Sequence, residues 1–450
     1  MNQPRTILIQ NTTIITLGVT NRVLKNHSLR IADGKIQEFG PTKTLTPTPG
    51  DELLDGTGKV LLPGFINAHM HFYSSMARGL NKAEPATNFN DVLKNLWWKL
   101  DRGLSSEAVY LSAMTALIDS IRKGTTTLID HHASPYAIKG SLDAIARAVL
   151  ESGLRGDLCY EVSDRDGADI AKQGLDENVA FLKRLAQEPN PALRGHFGLH
   201  ASFTVSDETM EKASGLAREF GAGFHVHLAE AESDQVQCLQ EHGLRIVERF
   251  QKFGILGPKT ICAHAIHIHE DEMKILADTK TSVVHNPQSN MNNAVGVADL
   301  LAFHSAGVYV GLGTDAMTVN MLQELRSAVW IQKIFQLNPS VGFMEAVNAL
   351  TQGNPLIASR SFGPELGLGA IAPGNAADLV LMDYRPNTPL DEKTFAGHLV
   401  FGLAEANVDS TIAQGKILMK HGALQLNIDE DRILARSQEV SKELWEKVWG

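Results

Sequence analysis

Cysteine is scarce in this chain. Only Cys159, Cys238 and Cys262 occur in 450 residues, too few and too scattered for a disulfide framework or a zinc–thiolate cluster. Basic charge is also short: 41 lysines and arginines face 51 aspartates and glutamates, for a net charge of −10. The acidic residues are dispersed rather than blocked, and no basic stripe is present, which argues against nucleic acid or an anionic membrane surface as partner. No apolar run approaches the ~18 residues of a membrane span. The opening residues, Met1-Asn2-Gln3-Pro4-Arg5, lack the charged-then-apolar order of a secretory signal. Internal repeats and low-complexity tracts are missing as well. The expectation is a cytoplasmic protein whose partner is a small molecule.

With 43% hydrophobic residues, the chain can bury a large core and more than one domain. Its middle alternates short apolar strands with stretches of helical period, the pattern of parallel βα units. Strands are expected at 61–68, 125–130, 154–160, 195–200, 223–228, 260–263, 281–284 and 308–311, with amphipathic segments between them. Eight such units fit an α/β fold of the (β/α)8, TIM-like barrel type. The two ends read differently, as short β alternations punctuated by turns, with a closing helix near 430–449. Neither end is long enough for a core alone. The expected division is a composite β domain, a small β-sandwich built from residues 1–62 and 370–450, with the barrel at 63–369.

The chemistry concentrates where strands end. Pro63-Gly64-Phe65-Ile66-Asn67-Ala68-His69-Met70-His71 places two histidines at i and i+2, so both imidazoles leave one face of a strand in the arrangement a divalent metal takes from paired nitrogen ligands. Three more apolar strands end similarly, in His225-Val226-His227-Leu228-Ala229-Glu230, Cys262-Ala263-His264 and Leu312-Gly313-Thr314-Asp315. Each has a plainer reading when taken singly: loop histidines, a surface glutamate at 230, or a helix N-cap at Asp315. Together they would lie on the C-terminal rim of one barrel, where such folds carry function. An imidazole-rich set with one carboxylate suits a borderline ion rather than magnesium or calcium.

These segments, with Ala263-His264-Ala265-Ile266-His267, His285-Asn286-Pro287-Gln288-Ser289-Asn290 and the tail Gly369-Ala370-Ile371-Ala372-Pro373-Gly374-Asn375-Ala376-Ala377-Asp378-Leu379-Val380, resemble the amidohydrolase superfamily over essentially the whole chain. The similarity falls in its ATZ/TRZ-like branch of cytosine, guanine and adenosine deaminase-like enzymes, and within that branch to SsnA-type aminohydrolases. The resemblance implies one divalent metal per chain, zinc with iron as the alternative, held by His69, His71, His227 and Asp315. Binuclear members use a modified lysine at the end of strand 4; here that stretch reads Gly198-Leu199-His200-Ala201-Ser202.

The implied activity is a metal-dependent aminohydrolase that releases ammonia from an exocyclic C–N bond of a purine, pyrimidine or triazine-like heterocycle. Asp315 would take the proton of the attacking water, and His264 would orient that water and polarise the carbon under attack. Glu230 would serve as general acid to a ring nitrogen and the leaving amine. His200 and one of the pair His131-His132, with His132 the choice, are expected at the substrate, and Asn290 either there or capping a helix. Trp97 and Trp98 are expected in core packing. The loop after strand 1 lacks the acid-and-tryptophan pattern of nucleoside deaminases, which favours a free base. Two other readings stay open: C–Cl or cyclic (imidazolone-type) C–N hydrolysis at the same site, and a non-catalytic scaffold. Homo-oligomers are common in relatives, but no interface is legible.

Overall fold

The structure is a computed structural model that describes residues 6–450. Eight short parallel strands form its centre: β1 Phe65–Met70, β2 Thr125–His132, β3 Arg155–Tyr160, β4 Phe197–Ala201, β5 Phe224–Leu228, β6 Ile261–His264, β7 Ser282–His285 and β8 Tyr309–Leu312. All but β8 are buried along their whole length, which is why they read as continuous apolar runs rather than alternations. β1 to β3 pair in order, as do β4 to β8. Single parallel bridges, Val162 with Leu199 and Met70 with Asp315, join the two sets into a closed ring. The ring is the expected (β/α)8 barrel.

The expected first strand proves to be two. Val60–Pro63 pairs with Leu379–Asp383 and with Thr6–Ile15, in a sheet drawn from both chain ends. Only after Gly64 does the chain enter the barrel as β1. A side chain at Gly64 would meet Thr126 at 2.3 Å, so the change of sheet is made where the backbone can press against β2. The end sheet has nine strands, with a core that includes Ile7, Ile9, Leu61, Leu379 and Leu381.

Helices cover the barrel as their caps and apolar faces dictate. Ser106–Arg122 starts where the Ser105 side chain accepts from Ala108 N at 3.1 Å, supplying one of the donors a helix N-terminus leaves unpaired. The last helix, Glu430–Trp449, buries Val440 and Leu444 and packs on the segment between β1 and β2. Trp445 donates to Met76 O at 2.8 Å and Trp449 to Asn95 O at 3.3 Å. Among the described residues no helix is long and apolar enough to cross a membrane.

One buried ion pair ties the end sheet to the barrel. Arg155, opening β3, donates to Asp378 Oδ2 from Nε at 3.2 Å and Nη2 at 3.1 Å, and the side chains are 4% and 3% exposed. Removing one member of such a pair strands the other charge away from water. The Asp378→Ala variant is expected to lose about 3–5 kcal/mol of stability, read as a shift in the urea midpoint. A loss below 1 kcal/mol would mean that the pair does not fasten the two parts together.

Candidate active site

The rim at the C-terminal ends of the strands gathers the histidines, and their hydrogen bonds fix which ring nitrogen is free. His71 Nδ1 donates to His131 O at 2.5 Å, and His227 Nδ1 to His200 O at 2.9 Å. Each then presents Nε2 inward, and these two atoms are 3.3 Å apart. His69 Nδ1 contacts His225 Nε2 at 2.8 Å, and its own Nε2 is buried without a hydrogen bond. Asp315 Oδ1 lies 3.1 Å from His71 Nε2 and 3.8 Å from His69 Nε2. One nitrogen from each of His69, His71 and His227 falls within a 4.8 Å cluster, as do ligand atoms of His69, His264 and Asp315.

Charge explains why this cluster suits a cation. Burial alone would strip a proton from His71, but the hydrogen bond and charge of Asp315 raise it to about 9. Burial and the neighbouring imidazoles push His69 and His227 well down. His71 thus keeps a proton against Asp315, one that a metal would displace, while the lone pairs of His69 and His227 and the carboxylate face the same buried point, an arrangement that costs free energy unless positive charge sits among them. Three imidazoles and one carboxylate are the donor set of a borderline divalent ion, so the residues fit a metal.

A second set lies beside the first. His264 Nδ1 donates to Asn290 Oδ1 at 2.8 Å. His264 Nε2 is thereby left without a hydrogen bond, 3.4 Å from Glu230 Oε2 and 3.6 Å from Asp315 Oδ2. Ser289 Oγ donates to Asp315 Oδ2 at 2.5 Å, and Asn293 Nδ2 to Glu230 Oε1 at 3.3 Å. Burial, followed by the charges of Asp315 and Asp234, raises the Glu230 carboxyl well above the usual range. A carboxyl that holds its proton more tightly than usual is suited to act as a general acid.

The backbone turns sharply where these residues leave their strands. Ala229, His264, Ala265 and Asp315 take φ values of 45°, 72°, 52° and 50°, in the left-handed region that non-glycine residues avoid. Hydrogen bonds hold the turns: Thr314 N and Asp315 N both donate to His69 O, at 2.9 and 3.0 Å, and Ala265 N donates to Leu228 O at 2.8 Å.

A cavity opens over the rim, lined by His71, His200, His227, Glu230 and Asp315. His200 thus reaches the position expected of it. His132 does not: its ring packs edge-on to Tyr73 and Tyr160, and Nε2 bonds Ser134 Oγ at 2.9 Å, outside the cavity wall. Strand alternation turns neighbours to opposite sides, and His131 is the member of the pair that faces the cluster. Asn290 is not on the wall either; it orients His264. Trp97 and Trp98, expected in core packing, line the cavity with Phe89, Leu93 and Met317. Two further acids line it, Asp101 and Glu161. Glu161 immediately follows β3, so the rule that found Glu230 would also have found it.

The profile of the amidohydrolase family matches residues 60–418. A 5'-deoxyadenosine deaminase of Methanobrevibacter smithii is 31% identical, over 93% of this chain and 94% of its own length. A 5-methylthioadenosine/S-adenosylhomocysteine deaminase of Pelotomaculum thermopropionicum is also 31% identical, over 96% and 97%. Among solved structures, a zinc-bound adenosine deaminase from Xanthomonas campestris superposes with a TM-score of 0.85 at 22% identity, over 97% of this chain and 98% of that one. A zinc-complexed atrazine chlorohydrolase of Arthrobacter aurescens reaches 0.82 at 23% identity, over 97% and 100%. These neighbours share the fold, and the matched profile together with the relatives identifies the lineage: the chain belongs to the amidohydrolase family, metal-dependent hydrolases of non-peptide C–N bonds.

Proposed function

We propose that this protein deaminates an aminopurine, as free base or nucleoside, by hydrolysing the exocyclic C–N bond and releasing ammonia. The observation that carries the reading is Glu230: a buried carboxyl whose hold on its proton is strengthened by burial and by Asp315, 3.4 Å from Nε2 of His264, beside a cluster suited to a cation. The deaminase relatives support it too. The expectation of a free base over a nucleoside loses its ground, because Trp97, Trp98 and Asp101 line the cavity.

In this reading His69, His71, His227 and Asp315 would hold one divalent ion, zinc. Bound there, such an ion would supply Lewis acidity, lowering the pKa of water toward neutrality. Asp315 accepts a proton from the attacking water. His264, with Nδ1–H committed to Asn290, offers Nε2 as an acceptor and so orients that water. Its lone pair cannot polarise the carbon under attack, so orientation is its role. Glu230 protonates the ring nitrogen next to that carbon. As the C–N bond breaks, Asp315 returns its proton to the amino group, which leaves as ammonia. The proton of the new hydroxyl passes to Glu230, leaving a ring carbonyl beside a ring N–H. A halide would leave without the proton that Asp315 returns, so it is the deaminase relatives, and not Glu230, that favour an amine as leaving group.

Two measurements test the reading. Ammonia release is expected from at least one compound in a panel of aminopurines, aminopyrimidines, pterins, nucleosides and aminotriazines, and Glu230→Gln should lower kcat roughly 10²–10⁴-fold. Silence across the panel from metal-loaded protein would overturn deamination. Elemental analysis should find about one divalent ion per chain, retained in Glu230→Gln and largely lost in His71→Ala and His227→Ala. Retention in the histidine variants would overturn the ligand set.

A further inference from the structure

We propose that Glu161 selects the substrate, its free carboxylate oxygen receiving a hydrogen-bond donor carried by an uncharged part of the heterocycle away from the amine that leaves. The identity of the ligand as an amino-heterocycle rests on the deaminase reading; the recognition chemistry does not.

Glu161 is held by one oxygen and open at the other. His131 donates from Nδ1 to Glu161 Oε2 at 3.0 Å, and its Nε2 donates to Leu199 O and His225 O at 3.1 and 3.0 Å. The ring thus faces acceptors with both nitrogens and fixes the carboxylate in place. Oε1 accepts no hydrogen bond from the protein; His200 Nε2 lies 3.8 Å from it. That nitrogen is itself an acceptor, because His200 Nδ1 donates to Thr204 Oγ1 at 2.5 Å and Thr204 in turn donates to Ala201 O. Two acceptors face the cavity with no donor between them.

A cation is a poor fit for the gap. A ligand atom of His227 lies within 4.8 Å of those of Glu161 and His200, but its Nε2 is turned to His71 Nε2 at 3.3 Å and belongs to the neighbouring cluster, which leaves the gap two ligands. A donor from the substrate fits better. The same wall carries Asp101, whose Oδ1 is buried without a partner while Oδ2 is taken by Arg165. Trp98 Nε1 is buried and unpaired as well. With three acceptors and one donor, this wall matches an edge bearing N–H, amino or hydroxyl groups. It opposes phosphate or carboxylate, which would bring negative charge against Glu161 and Asp101.

The test uses matched pairs on the metal-loaded native protein and Glu161→Gln: diaminopurine against adenine, and 5'-deoxyadenosine against its analogue lacking both ring hydroxyls. Adenosine monophosphate serves as the anionic probe. Ammonia release gives kcat and KM, and calorimetry gives binding of the same compounds without turnover. The native protein should prefer the donor-bearing member of at least one pair by about 10–100-fold, through KM, and refuse the phosphate. The pair that discriminates tells a ring amino group from a sugar hydroxyl. In Glu161→Gln the preference should shrink to within about threefold, the donor-bearing member losing more than the donor-lacking one. Equal losses for both members in a variant that melts like the native protein would make Glu161 a support for His131 only, and overturn the proposal. Should Glu161→Gln fail to fold, native protein that ignores the donor in both pairs, or accepts the phosphate, overturns it alone. Discriminating binding without ammonia release would sink the deaminase reading and leave this one standing. Ammonia release without discrimination would do the reverse, and binding of none of the compounds would overturn both.

Discussion

The structure depends on where four imidazoles put their lone pairs. Each ring has two nitrogens, and tying up the outer one decides what the inner one can do. His71 and His227 donate outward to the carbonyls of His131 and His200, His264 to Asn290, and His69 meets His225. Most of these outer partners sit on neighbouring strands or just beyond them. The directions of the lone pairs are therefore set by closure of the barrel, through the Met70–Asp315 and Val162–Leu199 bridges, and not by any single loop. A shift of one strand would turn a bare acceptor into a blocked one.

That constraint accounts for the backbone's departures from regular geometry. Parallel strands deliver side chains to the rim pointing along or away from the axis, and Glu230, His264 and Asp315 must turn back over it. The left-handed residues Ala229, His264, Ala265 and Asp315 make that turn, each at a cost on the order of 1–3 kcal/mol. Close approach supplies part of the compensation. Gly313 lets β8's exit press against His69, since a side chain there would stand 2.5 Å from Asn286 and 2.7 Å from His69 O. Thr314 meanwhile exchanges hydrogen bonds with Asn67, at 2.7 and 3.2 Å. Strain and site coincide because the same three strand ends produce both.

The legible part of this architecture is the part governed by short periods. His69 and His71 share a face because a strand repeats every two residues, and the barrel could be read because its strands are apolar on both sides. What stayed hidden depends on three-dimensional paths. Val60–Pro63 and Phe65–Met70 look like one apolar run, yet they belong to different sheets, because the switch is made by a glycine too common to signal it. Trp97 and Trp98 sit in an amphipathic stretch that periodicity assigns to a core. Only the fold of the segment after β1, held down by the last helix through Trp445 and Trp449, turns them toward the cavity. His131 and His132 could not be told apart without knowing which face of β2 looks inward.

The two parts of the cavity wall differ in how their charges are balanced, and this separates reaction from selection. Around Asp315 and Glu230 the carboxyl groups lack a permanent basic partner, so their state follows the proton and the cation, as proton transfer requires. Glu161 and Asp101 each have a fixed donor of their own on the side away from the cavity: His131, donating through both nitrogens, and Arg165, which also approaches Asp166 at 3.1 Å. Each carboxylate is held in this way through one oxygen, and the other oxygen keeps its strength as an acceptor. Such a wall favours neutral donors over cations and repels anions. The reacting wall can then keep one chemistry while the other determines what is presented to it, since neither Glu161 nor Asp101 hydrogen-bonds to a residue that would handle the proton.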